Sequence, residues 1–342
     1  MQSFAYESPA SLADVWSCLD RADGAARLLA GGTDLVPALK RENVRAGTLV
    51  DLKRVPGLAG IEVLADGGLR MGALTTLHGV ARSATVASRF PVLAEVAATT
   101  ASYQVRNRGT VGGNLCLDTR CSYFNQSPFW RAEYPDCRKM GGGSCYVVPA
   151  GEGCHALSSG DLATPLIALA ADVLVLSRDG ERRLPLEELY EGNGLRATVL
   201  GPGDVLTAVM LPPAGGRAAF RRFAARETVD FPTATVALAA AADGTRARVV
   251  IGHVAARPRR VAAAEETLAA YLAGDGVTAA DVGEAAVAGL PLTSSVRGSV
   301  WYKKRVLRGL VADAAAELRR EPAEARGTAG DQPGPDGATG GH

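Results

Sequence analysis

Four cysteines near the middle of the chain have the residue type and the grouping of a metal centre. They are Cys121, Cys137, Cys145 and Cys154, with the spacing C-x15-C-x7-C-x8-C. Thiolates are soft ligands that favour iron–sulfur clusters or zinc. Zinc sites usually contain close CxxC pairs, and this segment has none. The residues alone therefore predict a metal site and leave iron–sulfur and zinc as alternatives.

These cysteines lie in residues 119–160, where hydrophobic periodicity disappears and glycine and proline interrupt the chain. A loop of this length in a compact protein is uncommon unless a functional group orders it. A metal centre could provide that order, because metal binding is coupled to folding. Cys116 precedes the loop and is interpreted as a buried thiol rather than a ligand. Cys18, in a helical pattern, is predicted to be a small buried hydrophobic residue.

Two glycine-rich turns could bind a phosphate group. Leu28–Leu35 reads as a strand running through Gly31 and Gly32 into a helix, so its N–H groups and the helix start could hold a diphosphate. The segment 108–114, Arg-Gly-Thr-Val-Gly-Gly-Asn, is predicted to present a second set of exposed N–H groups. Neither fits the G-x-G-x-x-G fingerprint, which disfavours an ordinary Rossmann site.

The elements around these turns predict mixed helix and sheet. Residues 60–64 and 69–73 flank a hairpin turn, and 75–102 read as mostly helical. Beyond a glycine-rich stretch at 191–203, three strands are followed by three helices, which predicts an α+β C-terminal domain. His253 falls in one of these strands and is interpreted as a hydrogen-bonded core residue.

Composition limits the classes of function. The 342-residue chain carries 37 Lys and Arg against 36 Asp and Glu, for a net charge of +1. This balance gives no indication of a nucleic-acid or membrane-surface partner. The N-terminus lacks the basic and apolar regions of a signal peptide, and no apolar run is long enough to span a bilayer. We therefore expect a cytoplasmic protein.

The glycine motifs also carry a family resemblance. The order Ala30-Gly31-Gly32-Thr33-Asp34-Leu35, Thr110-Val111-Gly112-Gly113-Asn114, then Gly160-Asp161-Leu162-Ala163-Thr164-Pro165 resembles the FAD-binding medium subunits of the xanthine dehydrogenase and CO dehydrogenase family. The resemblance implies an α+β fold with a vanillyl-alcohol-oxidase (PCMH)-type FAD-binding domain of two lobes at 1–200. A CO dehydrogenase flavoprotein C-terminal α+β domain would follow at 201–320, and 321–342 are expected to form a disordered tail.

The resemblance implies a set of FAD-binding residues. The first turn would surround the diphosphate, the second would form another flavin loop, and the remaining positions match flavin contacts of the family. The family usually has a lysine where this chain has Arg221-Arg222, so the identity of that contact differs here. The residues are Arg27, Leu28, Leu29, Ala30, Gly31, Gly32, Thr33, Asp34, Thr100, Thr110, Val111, Gly112, Gly113, Asn114, Asp161, Leu206 and Arg222.

The cysteine loop is similar to the insert of 4-hydroxybenzoyl-CoA reductase beta subunits. That similarity implies that residues 119–160 are an inserted iron–sulfur loop and that Cys121, Cys137, Cys145 and Cys154 hold a [4Fe–4S] cluster. It also implies a large molybdenum-cofactor subunit, a small [2Fe–2S] subunit and ferredoxin as partners. Electrons would pass from ferredoxin through the cluster and FAD to molybdenum, where the ring hydroxyl is removed to give benzoyl-CoA.

Three other functions remain open from the sequence. The chain could be the flavin subunit of another aromatic or N-heterocycle molybdenum hydroxylase that kept the cluster loop. It could be a stand-alone flavin oxidase of the vanillyl-alcohol type, although no substrate domain is recognisable. It could also be a non-catalytic assembly protein stabilised by zinc, for which a colourless preparation is expected.

Overall fold

A computed structural model describes residues 2–226 and 229–320, and three sheets organise them. The first lobe has a parallel sheet of order β1-β3-β2, formed by β1 (Ala5–Glu7), β2 (Ala26–Leu29) and β3 (Thr48–Asp51). Helices α1 (Leu12–Arg21) and α2 (Leu35–Lys40) connect these strands. Ser11 caps α1, and Val15 and Cys18 are buried on its inner face, which confirms the predicted burial of Cys18.

The second lobe has a five-stranded antiparallel sheet. Its strands are β4 (Ile61–Val63), β5 (Leu69–Gly72), β6 (Asp172–Ser177), β7 (Gly180–Pro185) and β8 (Val205–Leu211), in the order β4-β5-β8-β6-β7. The predicted hairpin is confirmed as β4 and β5. Strand β8 lies after the predicted domain boundary at residue 200, yet it is hydrogen-bonded between β5 and β6. The boundary itself stays a prediction.

Short helices pack on this second sheet, and their apolar side chains form the largest core of the protein. The predicted helical stretch 75–102 is confirmed as three helices, with the last beginning at Pro91. The helices are α3 (Leu77–Arg82), α4 (Ala84–Arg89), α5 (Pro91–Thr99), α6 (Tyr103–Arg106), α7 (Val111–Leu115) and, after the cysteine loop and its helix α8 (Pro128–Arg131), α9 (Ala163–Ala168).

The third unit confirms the predicted α+β arrangement of the C-terminal part. Its antiparallel sheet, of order β12-β11-β10-β9, contains β9 (Gly216–Phe223), β10 (Ala234–Ala241), β11 (Arg248–Gly252) and β12 (Arg259–Arg260). Helices α10 (Ala262–Ala273), α11 (Ala279–Val287) and α12 (Val300–Arg319) cover one face and share a core with the sheet. Lys303 of α12 is fully buried there, and its ammonium donates to the Thr293 carbonyl at 2.6 Å.

The cysteine loop is irregular, as its sequence predicts. Only α8 and one 3-10 turn, Arg138–Met140, interrupt it. Arg120 and Leu157 exchange backbone hydrogen bonds of 2.8 Å and close its base, so the loop leaves and rejoins the protein at one point. The predicted disordered tail, 321–342, lies outside the described residues. Within those residues, no helix combines the length and apolarity needed to span a membrane.

Candidate functional site

The first glycine turn joins β2 to α2 and leaves hydrogen-bond donors available. Gly32 has a left-handed φ of +72°, which lets the chain turn sharply at the end of the strand. Within the described residues, the backbone N–H groups of Gly31, Gly32 and Thr33 donate to no other group. The Thr33 hydroxyl also makes no hydrogen bond there. Unpaired donors at a helix start are suited to a phosphate oxygen.

The second glycine turn differs from the prediction. Its N–H groups are not exposed, because the segment pairs with the chain just before α3. Val111 donates to the Thr75 carbonyl at 2.9 Å, and Gly112 donates to the Ala73 carbonyl at 2.8 Å. Thr110 caps α7 by accepting from Gly113 at 3.1 Å. The prediction of a second set of exposed N–H groups is therefore wrong, although the hydroxyl hydrogen of Thr110 remains available to a ligand.

The two turns lie directly against each other. A Cβ atom at Gly31 would overlap the carbonyl oxygen of Arg108, so only glycine permits this approach. The second turn also supports the segment that follows the cysteine loop. The Asn114 side-chain oxygen accepts from the Leu162 N–H at 3.0 Å, and a Cβ at Gly160 would collide with the Asn114 carbonyl.

Two cations beside the first turn were not predicted from the sequence. The Lys53 ammonium donates to the Ala30 carbonyl at 3.1 Å and pairs with the buried Asp51 at 2.7 Å. Arg120, at the base of the cysteine loop, forms an ion pair with Asp34. Both give positive charge next to the proposed diphosphate turn. No sequence signal marked either, because Lys53 and Ala30, like Arg120 and Asp34, are distant in the chain.

Asp161 and Arg222, both predicted FAD contacts, are brought together. The Asp161 carboxylate is 4.0 Å from Arg222 Nε, and both side chains are largely buried. Burial raises the pKa of Asp161 to about 6, while the positive charge of Arg222 opposes that rise. Arg222 also donates to the Asp230 carbonyl. The pair could hold a polar part of a ligand between the second lobe and the C-terminal sheet.

The other predicted FAD contacts have their side chains engaged elsewhere. Arg27 is exposed and donates to its neighbour's carbonyl at 2.8 Å. The Thr100 hydroxyl donates to the Val96 carbonyl at 2.7 Å. The side chains of Leu28, Leu29 and Leu206 pack into apolar clusters. These five residues remain predicted FAD contacts. Because their side chains are engaged with the protein, any contact with FAD would have to be made by their backbone atoms.

A cavity of about 230 Å³, called here the central cavity, lies where the cysteine loop meets the C-terminal sheet. Its wall includes Arg120, Ser158, Ser159, Phe231, His253 and Arg297. Arg120 links it to Asp34 of the first turn, and Ser159 is two residues before Asp161. Two residues of the cavity wall are therefore connected to predicted FAD contacts, Arg120 to Asp34 by an ion pair and Ser159 to Asp161 along the chain. Cys121 is also part of its wall.

The four cysteines of the loop converge, and together they line a second, smaller void of about 10 Å³, called here the thiol cavity. Burial raises the pKa of Cys121, although N–H groups of Phe124 and Tyr123 oppose this. Burial also raises the pKa of Cys154, opposed by the Ala156 N–H and the nearby Lys139 charge. Within residues 2–226 and 229–320, no group of three or more His, Cys, Asp or Glu side chains is arranged to hold a metal ion.

The other two cysteines lie outside the thiol cavity. Cys18 is buried on α1, as predicted. Cys116 is exposed rather than buried, so that part of its prediction is wrong. Desolvation by the surrounding protein nevertheless raises the pKa of its thiol to about 12. The phenol of the buried Tyr190 lies near this thiol.

Comparison with known protein families identifies the class of protein to which this chain belongs. Residues 2–214 match the family described as the FAD binding domain in molybdopterin dehydrogenase, and residues 218–318 match the CO dehydrogenase flavoprotein C-terminal domain. The chain therefore belongs to the family of FAD-binding molybdopterin dehydrogenase proteins. This confirms the predicted fold, and it supports FAD as the cofactor.

Individual relatives agree with this assignment. The chain is 34% identical to the FAD-binding subunit of aldehyde oxidoreductase from Escherichia coli, over 78% of this chain and 86% of the relative. It is 32% identical to subunit alpha of the 6-hydroxypseudooxynicotine dehydrogenase complex from Paenarthrobacter nicotinovorans, over 85% of this chain and 86% of the relative. A chain of quinoline 2-oxidoreductase from Pseudomonas putida 86 superimposes with a TM-score of 0.73 and 26% identity, over 93% of this chain and 97% of that one. These relatives are oxidoreductase components, as predicted.

Proposed function

We propose that this chain is the FAD- and [4Fe–4S]-containing electron-transfer subunit of a molybdenum oxidoreductase similar to 4-hydroxybenzoyl-CoA reductase. One observation carries the proposal. Four thiols from an irregular loop surround a single cavity, and the base of that loop is bound to the first glycine turn through the Arg120–Asp34 ion pair. A cluster held there would be attached to the same structural unit as the flavin site.

The FAD site would be built from two different kinds of contact. The unpaired N–H groups of Gly31, Gly32 and Thr33, with the charges of Lys53 and Arg120, would bind the diphosphate. The second turn, Thr110–Asn114, would hold the first turn in place and offer the Thr110 hydroxyl. Asp161 and Arg222 would bind a polar group further along the cofactor. When bound, FAD would accept and donate electrons one or two at a time.

The donor set of the loop suits an iron–sulfur cluster. Four cysteine thiolates are the usual ligands of a cubane cluster, and the N–H of Tyr123 already points to the Cys121 sulfur at 3.4 Å. A zinc ion with Zn–S bonds of about 2.3 Å would need the sulfurs drawn to one point, about 3.8 Å apart. Four-cysteine zinc sites also usually contain close CxxC pairs, which this loop lacks, and that spacing supports the cluster over zinc.

The names of the relatives support a multi-subunit assembly. Several are medium chains or medium subunits, including those of nicotine 6-hydroxylase and carbon monoxide dehydrogenase. We accordingly propose a large molybdenum-cofactor subunit and a small [2Fe–2S] subunit as partners, with ferredoxin as the external donor in the cytoplasm. Residues 1–200 and 201–320 would be the two domains of this subunit, and the substrate would bind to the large subunit.

A second candidate is the flavin subunit of an aromatic or N-heterocycle hydroxylase. The similarity to quinoline 2-oxidoreductase and to nicotine 6-hydroxylase favours it. The two candidates differ in the direction of electron flow through the assembled complex. Reduction of 4-hydroxybenzoyl-CoA by reduced ferredoxin would support the first, whereas substrate oxidation with electron release through FAD would support the second.

The test is metal and flavin analysis of anaerobically purified protein. We expect about one FAD and about four iron and four sulfide per chain. Cys137→Ser should lose the iron and keep FAD, because the thiol cavity lies apart from the glycine turns. Cys18→Ser, a buried cysteine outside the loop, is the matched control and should lose neither. Stoichiometric zinc in place of iron would overturn the cluster, and a protein unable to bind FAD would overturn the function.

A further inference from the structure

His253 has an unusual backbone for its residue type. It directly follows β11, and its φ of +66° is in the left-handed region that disfavours side chains with a Cβ atom. The side chain is only 4% exposed, so the imidazole is buried in the wall of the central cavity. Strain of this kind persists where the surrounding structure or a function requires it.

The ring is tethered on one side only. Nδ1 lies 3.0 Å from the Thr235 hydroxyl, which is 3.1 Å from the Thr164 hydroxyl. Nε2 has no hydrogen-bond partner among the described residues. A buried polar atom without a partner is costly, since it has given up water and gained nothing in exchange. The sequence prediction of a hydrogen-bonded core histidine is thus confirmed for one nitrogen and not for the other.

The imidazole is neutral at physiological pH. Burial, together with the positive charges of Arg222 and Arg297, lowers the pKa of His253 to about 4. The Ser159 carbonyl faces the ring and opposes this lowering, without reaching Nε2 in ordinary hydrogen-bond geometry. A neutral ring carries one N–H. With Thr235 donating to Nδ1, that N–H is at Nε2, which we assign as the donor.

The central cavity is suited to a flat ring with polar edges. Phe231 provides an apolar wall, with the Arg120 guanidinium 4.3 Å from its ring centre. Serine and threonine side chains and His253 provide hydrogen-bonding groups around it. Arg120 of the cavity wall forms an ion pair with Asp34 of the first glycine turn, and Ser159 of the wall is two residues before Asp161. A cofactor whose diphosphate occupies that turn could therefore extend its ring system into this space.

We propose that the Nε2–H of His253 donates a hydrogen bond to an acceptor atom of the flavin ring and thereby positions the ring and raises its reduction potential. The proposal rests on the proposed binding of FAD. The carbonyl oxygens of the ring gain electron density on reduction, so a fixed donor binds the reduced form more tightly than the oxidised form.

The test uses His253→Gly in the full-length protein. Glycine fits the left-handed backbone, so the variant should fold while losing the donor. We expect oxidised FAD to bind roughly 5- to 10-fold more weakly, which is the usual effect of one hydrogen bond. The two-electron potential should fall, by about 30 mV if the donor favours the reduced form tenfold. His253→Gln, which carries an N–H at a similar distance, should recover part of both effects.

Ala170→Gly is the matched control. Ala170 also has a left-handed φ, +59°, but it lies after α9 and outside the central cavity. It should leave FAD affinity and potential unchanged. If the unmodified protein binds FAD and His253→Gly alters neither quantity, the role of His253 is wrong and the proposed function stands. If the unmodified protein does not bind FAD, the proposed function fails and this inference fails with it.

Discussion

The two glycine turns of this protein are similar in sequence and opposite in how they use their backbone. In the first, Gly31, Gly32 and Thr33 keep their N–H groups unpaired within the described residues. In the second, Val111, Gly112 and Gly113 donate to neighbouring protein groups. The first turn is therefore prepared for a ligand, whereas the second is a structural element that holds the first.

The difference shows that glycine alone does not identify a phosphate site. Glycine can be required because a ligand approaches the backbone, or because another segment of the protein does. At Gly31 and Gly112 the approaching atoms belong to the protein, namely the Arg108 carbonyl and Ala73. What distinguishes the binding turn is the set of donors that remain after the fold has satisfied its own backbone.

The largest effect is expected where the two turns touch. Gly31→Ala would place a methyl group against the Arg108 carbonyl, and backbone on both sides leaves little room for adjustment. The turns would have to separate, so we expect the free energy of unfolding to fall by roughly 3 kcal/mol or more and FAD binding to be lost. Chemical denaturation and FAD titration measure the two effects.

Gly215→Ala is the control for this substitution. No atom lies within 4 Å of a Cβ at that position, and its φ is not left-handed. We expect a change within about 0.5 kcal/mol. If Gly31→Ala were equally mild, the contact between the turns would not be what requires glycine at position 31.

The next effect concerns Asp161, which the second turn helps to hold in place. Its pKa of about 6 is above the value of an unfolded aspartate, about 3.9. The folded protein therefore binds this proton more tightly than the unfolded chain, and its stability falls as the pH rises from about 4 through about 6. Asp161→Asn removes the carboxyl group and therefore removes this pH-dependent loss of stability. Measured in FAD-free protein, the variant should gain roughly 2–3 kcal/mol relative to the parent between pH 4 and pH 7.

A pH-independent difference between Asp161→Asn and the parent would show that the carboxyl is not buried in a charge-disfavouring environment. Asp281→Asn is a useful reference, because the Thr278 side chain lowers the pKa of that exposed carboxyl instead. For a lowered pKa the sign is reversed. The stability contributed by Asp281 is present at neutral pH and is lost as the pH falls through its folded pKa.

A structural role for the second turn also predicts the effect of Asn114→Ala. The substitution removes the acceptor of the buried Leu162 N–H, so the free energy of unfolding should fall by about 1–2 kcal/mol. Asn193→Ala removes a comparable acceptor from the Leu195 N–H in an exposed loop, where water can replace it, and should cost less. Thermal or chemical denaturation of FAD-free protein compares them.

Much of this arrangement could be predicted because it depends on local sequence. The hairpin at β4 and β5, the helices between 75 and 102, and the strand-to-helix position of Gly31 and Gly32 follow from periodicity and turn residues. The irregular loop carrying the cysteines was also predicted. What the sequence could not show is how distant segments pair. Donors at 111 and 112 are used by carbonyls at 75 and 73, which no local pattern reveals.

The same reasoning explains the missed residues. Arg120 and Asp34 are 86 positions apart, and Lys53 reaches a carbonyl 23 positions away. His253 was correctly predicted to be buried, but its unpaired Nε2 depends on where the cavity lies, which only the packed structure defines. The residue types predicted the kind of chemistry. Which hydrogen-bonding atoms remain free to bind a ligand depends on tertiary contacts, which the sequence does not show.

The smallest effects are expected from removing one threonine hydroxyl from each turn, and these two variants compare the turns most directly. Thr33→Val removes a hydroxyl that has no partner in the described residues, so stability should be unchanged. Because that hydroxyl belongs to the turn proposed to bind the diphosphate, we expect FAD to bind roughly 5- to 10-fold more weakly. Thr110→Val should instead lower the stability of FAD-free protein. It removes the cap that accepts from Gly113, at a cost of about 1 kcal/mol in unfolding free energy.

The two measurements, FAD affinity and the unfolding free energy of FAD-free protein, should therefore separate the variants. An unchanged affinity in Thr33→Val would mean that the first turn binds through its backbone alone. A loss of stability in Thr33→Val without a loss of affinity would contradict the division of roles, since it would give the first turn the structural function assigned to the second. An equal loss of affinity in both variants would show that the hydroxyl of Thr110 also contacts the cofactor, which its unused hydrogen permits.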